Sequence, residues 1–182
     1  MRDSIYLLPL GEILDSILDQ LSEGLNRVFR LPVRALGAIP DPSYAFQEKR
    51  CQYFSARILK ELAGRLPDDG LRILGIAEVD LCTPVLTFVF GEAQLPGVSA
   101  LISLTRLRRE FYRLPADEAV LATRSLKEAI HELGHTFGLV HCRDAQCVEH
   151  FSPDVLSIDQ KRTGFCPECE ALLVSRLPSS SK

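Results

Sequence analysis

Hydrophobic positions change their spacing several times along the chain, and each change marks an element. Residues 4–8 (SIYLL) are an apolar run that reads as a buried strand. Ile13, Leu14, Ile17, Leu18, Leu21, Leu25 and Val28 then recur three and four apart, the spacing of one helix face. A second strand is predicted over 32–39, before a Pro/Asp-rich loop at 40–43. A helix from about Ser55 to Leu66 should stop at the turn Pro67-Asp68-Asp69-Gly70. Three more apolar runs, 71–79, 85–90 and 98–104, predict three further strands. Strands alternating with helices imply an α/β layer architecture, a mixed sheet covered by helices. A single domain is expected over residues 1–176, with a disordered Pro/Ser-rich tail at 177–182.

The last long periodic segment carries the chemistry. A helix is predicted to begin near Pro115, with Asp117 and Glu118 in a first turn where negative charge suits the helix dipole. Leu126, Ile130, Leu133 and Phe137 form its sheet-facing stripe. His131 and His135, four apart, share a different face and can send two imidazole nitrogens to one metal. Gly138 suits a left-handed helix end that turns the chain back, so that His141 reaches the same ion from outside the helix. Three neutral nitrogen ligands leave one position open for water, as in a catalytic rather than a structural zinc site. Glu132 adjoins the first ligand and can take that water's proton as general base, then return it to the leaving amine. A solvated helix face with chance histidines is the bland alternative. Three of the chain's four histidines fall in this one register, which argues against it.

Cysteine spacing adds a second candidate site. Cys142 and Cys147 make an x4 pair, and Cys166 and Cys169 an x2 pair, which together suit a closed tetrahedral zinc. Because Cys142 adjoins His141, such an ion would anchor the turn presenting the third histidine. Two disulfides or four unconnected thiols are the other readings, and His150 is a possible substitute ligand. Cys51 and Cys82 lie outside both clusters and are expected to be buried thiols. Two zinc ions per chain follow.

Composition changes this picture little. With 46% hydrophobic and 25% charged residues and a formal net charge of −3, the chain has the profile of a globular protein without a nucleic-acid-binding surface. Arg106, Arg108, Arg109 and Arg113 gather, but a solvated element end is the simpler reading. The N-terminal apolar run is interrupted by Pro9 and acidic residues, too short for a membrane span and without secretory flanks. A cytoplasmic monomer without a membrane or nucleic-acid partner is expected, with reduced thiols that favour metal over disulfides.

The run His131-Glu132-Leu133-Gly134-His135-Thr136-Phe137-Gly138-Leu139-Val140-His141-Cys142, with Cys147 and the later Cys166-Pro-Glu-Cys169, resembles the archaemetzincins, a branch of the metzincin metalloproteases. FVFGEA at 88–93 and SLTRLR at 103–108 are similar to that family as well. The resemblance covers about residues 70–170. It implies a compact αβα core with an active-site helix and a zinc-stapled C-terminal segment, a cytoplasmic location, and a peptide or protein substrate cleaved in an aminopeptidase-like manner. The chain departs from the family at one place. Metzincins carry a methionine in a turn beneath the catalytic zinc; the matching position here is Glu149, and the chain's one methionine is Met1. Either Glu149 lies beneath the metal and acts on it electrostatically, or it points away, to Arg143 or His150. The leading expectation is a zinc peptidase that pairs an extended substrate with the edge segment 85–93, where Gly91 permits close approach. The alternatives are a metal-bound but weak or inactive peptide binder, favoured by Glu149, and a zinc-ribbon-like nucleic-acid module, opposed by the acidic balance.

Overall fold

The computed structural model describes residues 2–178. Five strands form the main sheet: β1 (Ser4–Leu10), β2 (Val33–Ala35), β5 (Gly70–Ala77), β7 (Gly91–Ala93) and β8 (Ser99–Ser103). Their order is β2-β1-β5-β8-β7; the first four are mutually parallel, and β7 pairs antiparallel with β8 at the edge. Helices α1 (Asp15–Phe29) and α3 (Glu118–Thr136) cover one face, and α2 (Ser55–Gly64) the other. Short strands β3 (Phe46–Gln47), β4 (Gln52–Phe54) and β6 (Leu81–Cys82) make a small second sheet.

Side-chain alternation along each strand builds two cores. Ile5 and Leu7 of β1, Leu74 and Ile76 of β5, and Ala100 and Ile102 of β8 pack beneath α1 and α3. Tyr6, Leu8, Ile73, Ala77 and Leu101 face the opposite way, onto Ile58, Leu59 and Leu62 of α2. Because both faces are covered, the strands read as unbroken apolar runs. The layers are α, β, α.

Several expectations need correction. Residues 85–90 do not form a strand: Val89 makes one isolated bridge to Leu81, and Val85 and Leu86 are exposed. Here the loop is held by polar contacts, as Arg50 donates to the carbonyls of Thr83, Leu86 and Thr87. The strand predicted over 32–39 shrinks to Val33–Ala35 plus an isolated bridge at Ile39. Cys51 is exposed, at a positive φ in a turn, whereas Cys82 is buried as expected. Three of the four clustered arginines are paired: Arg106 with Asp80, Arg108 with Glu78, and Arg109 with Asp117. Arg106 also stacks between Phe88 and Phe111, so it joins loops rather than fringing an element. Leu177, placed in the expected tail, packs against the core, and residues 179–182 lie outside the described residues. Among the described residues no helix is long and apolar enough to cross a membrane.

Candidate metal centre and active site

Helix α3 starts at Asp117, whose carboxylate accepts the Val120 N–H, and it crosses the sheet to Thr136. Gly138 follows at φ +86°, and its N–H bonds the His135 carbonyl. The chain therefore reverses at the helix end, as its sequence predicts. This brings His141 back to His131 and His135: one nitrogen of each ring lies within 4.8 Å of the others. The His131 and His135 Nε2 atoms are 3.2 Å apart. Two nitrogens bound tetrahedrally to zinc would be about 3.3 Å apart, so this donor set fits the ion.

Backbone carbonyls set the two helical rings. His131 Nδ1 lies 3.0 Å from the Val148 oxygen, and His135 Nδ1 2.8 Å from the Leu139 oxygen. With those nitrogens donating, each Nε2 is left as the free acceptor, the form a metal ligand requires. Burial lowers the pKa of all three histidines, and that of His131 well below the ordinary value, so neutral imidazole is favoured throughout.

Glu132 is buried beside this cluster, and its Oε2 has no hydrogen-bond partner. Burial, reinforced by Glu128, Glu149 and Glu92, pushes its carboxyl well above the usual range. A buried carboxyl without a hydrogen-bond partner, next in sequence to one of three converging imidazoles, suits a site that holds a cation. Gly91 does allow a close approach, but to Glu132: a Cβ there would lie 2.6 Å from Glu132 Cγ.

Glu149 lies beneath the histidines. It is fully buried, with Oε2 3.5 Å from His131 Nδ1 and 3.7 Å from His135 Nδ1. Gly134 makes the room, since a Cβ there would stand 1.7 Å from Glu149 Oε1. Neither oxygen has a hydrogen-bond donor, and burial pushes the carboxyl up to about 9. The alternative of a pairing with Arg143 or His150 fails; His150 Nδ1 instead bonds the Cys142 carbonyl.

The four cysteines converge without His150. Their Sγ atoms all lie within 4.8 Å of one another. Cys142 and Cys166 are 3.8 Å apart, too far for a disulfide and close to the roughly 3.8 Å between two thiolates on a tetrahedral zinc. Cys166 caps helix α5 (Pro167–Val174), accepting the Cys169 N–H, and this bond lowers its pKa. Burial raises the Cys147 and Cys169 thiols, which favours their neutral form until a cation binds there. Sequence reasoning missed Glu128 and Lys161, a buried pair that reaches His131 through the Val148 carbonyl. Glu128 had one visible signal, its position one helical turn before Glu132.

Comparison with known proteins agrees with this geometry. Residues 11–175 match the model of peptidase family M54. The archaemetzincin of Methanocaldococcus jannaschii is 44% identical over 172 residues, 94% of this chain and 93% of that protein. That of Pyrococcus furiosus is 41% identical, over 97% of this chain and 95% of that protein. The crystal structure of the Methanopyrus kandleri archaemetzincin superposes with a TM-score of 0.86 at 34% identity, covering 97% of this chain and 96% of that one. A zinc-dependent peptidase from Methanocorpusculum labreanum superposes with a TM-score of 0.84 at 30% identity, covering 93% and 99%. The chain belongs to peptidase family M54, the archaemetzincins, and is a zinc metallopeptidase.

Proposed function

We propose that His131, His135 and His141 hold the catalytic zinc and that Glu132 is the general base of peptide-bond hydrolysis. The convergence of three neutral imidazoles on one point, with a buried unpartnered carboxyl alongside, is the observation that carries this reading. Zinc supplies a Lewis acid that makes water acidic near neutrality and polarises a carbonyl. Glu132 accepts a proton from the attacking water and delivers it to the amine nitrogen as the C–N bond breaks. Val148 and Leu139 hold the two helical rings in place through their carbonyls. A second zinc, on Cys142, Cys147, Cys166 and Cys169, has no open position and ties α5 to the turn bearing His141.

The substrate pairs along the free edge of β7, which runs antiparallel to β8 beside α3, with main-chain hydrogen bonds giving register. This edge is Gly91–Ala93, shorter than the 85–93 segment read from the sequence. The preference is aminopeptidase-like, by resemblance to the family, and short peptides with free or acetylated N-termini would distinguish it from internal cleavage. A weak or inactive peptide binder is the second reading, favoured by the buried carboxyl of Glu149.

Glu132→Gln tests the first reading. The amide cannot accept the proton, so turnover of short peptides should vanish while zinc content stays at the parent value. His141→Ala should lose zinc affinity, because a ligand rather than a base is removed. Equal turnover by Glu132→Gln and parent protein would overturn the assignment, and an inactive parent carrying its full zinc would favour the second reading.

A further inference from the structure

Helix α3 presents three charged side chains to the short helix α4 (Val155–Gln160), at Arg124, Lys127 and Glu128. Arg124 makes a two-pronged bond to Asp159, at 2.7 Å on each arm. Lys127 Nζ donates to the carbonyls of Ile158 and Asp159 at the C-terminal end of α4. These contacts fix where the chain leaves α4, at Lys161.

The Lys161 side chain is fully buried, and its ammonium has three partners. Nζ donates to the Val148 carbonyl at 3.0 Å and the His150 carbonyl at 3.1 Å, and it lies 3.6 Å from Glu128 Oε1. Burying an ammonium is costly, so such a group persists where its N–H donors and its charge are all answered. The Val148 oxygen is the same one that faces His131 Nδ1 at 3.0 Å. One carbonyl, with two lone pairs, thus takes both donors.

We propose that Lys161 is a positioning residue for the catalytic centre. It holds the 147–150 turn so that the Val148 carbonyl fixes the ring plane and tautomer of His131, and Glu128 is its counter-ion. This inference rests on the reading of His131 as a zinc ligand. Lys161 touches neither substrate nor metal; its effect passes through one peptide oxygen. Outer partners of metal-bound histidines typically change metal affinity by about 10- to 100-fold when removed.

Zinc affinity of the histidine site, measured by chelator competition with the cysteine site loaded, tests this, together with thermal melts. Lys161→Met should weaken zinc binding by about 10- to 100-fold. It should also lower the melting temperature, because Glu128 loses its counter-ion. The double variant Lys161→Met/Glu128→Gln removes the stranded charge, so it should regain thermal stability but not zinc affinity. Glu128→Gln alone keeps both carbonyl contacts of Lys161 Nζ, so it should bind zinc more tightly than Lys161→Met. The cobalt-substituted parent and Lys161→Met proteins should differ in their visible spectra, since the His131 ring is no longer held. A double variant that binds zinc as tightly as the parent, with an unchanged cobalt spectrum, would reduce Lys161 to a structural residue. A parent protein lacking any zinc that His131→Ala removes would instead overturn the functional reading, and this inference with it.

Discussion

Glu149 occupies a place where its carboxyl meets two imidazoles and no hydrogen-bond donor. Leaving a buried polar group unsatisfied costs about 1–3 kcal/mol, which a side chain of similar length without polar atoms avoids. With the cysteine site loaded and the histidine site empty, Glu149→Met should therefore raise the melting temperature by roughly 2–10 °C. An unchanged or lower value would show that the imidazoles stabilise the carboxyl. The pH dependence has a definite sign. Burial holds the folded-state carboxyl protonated up to about 9, whereas the unfolded chain releases that proton near the ordinary glutamate value of 4.5. Between those values the folded state binds more protons, so this group's contribution to stability is lost as pH rises through that window. Urea melts across it should show a shallower decline for Glu149→Met than for the parent. The family resemblance places this residue beneath the histidines through its offset from Cys147, but its space comes from Gly134, fifteen residues earlier in the chain and adjacent only after folding.

Among the elements, α3 and its following turn were the most legible. Their helical spacing, capping aspartate and terminal glycine are all local signals, and local signals survive folding unchanged. The loop at 85–90 was not legible, because its apolar residues look like a strand while its conformation is set by Arg50 and by the Arg106–Phe88 stack, both distant in sequence. Lys161 was hidden for the same reason: nothing in its neighbourhood marks a buried ammonium, and only the packing of α4 on α3 reveals it. Helix α5 shows a third kind of dependence. It is eight residues long, too short to be stable alone, and a zinc shared by its capping Cys166, Cys169, Cys142 and Cys147 would tether it. Cys169→Ser should consequently release α5 and lower the melting temperature, since structural zinc contributes directly to folding free energy. A chelator that strips both metals should do the same to the parent. A variant melting with the parent would show that the cysteines do not share an ion.

At the scale of the whole molecule, the sheet is a platform with its chemistry at one edge. The inner strands β1, β5 and β8 are covered on both sides, and β7 forms the sheet edge that lies next to α3. Two donor sets, one of nitrogen and one of sulfur, meet at the junction His141-Cys142, so that one peptide bond joins them. The central claim is that these are two separate zinc sites of different kind, and metal content per chain tests it most directly. Protein purified without chelator should carry close to two zinc ions, and the His131→Ala/His135→Ala variant should carry one and remain folded. Two ions in that variant, or one or none in the parent, would contradict the assignment.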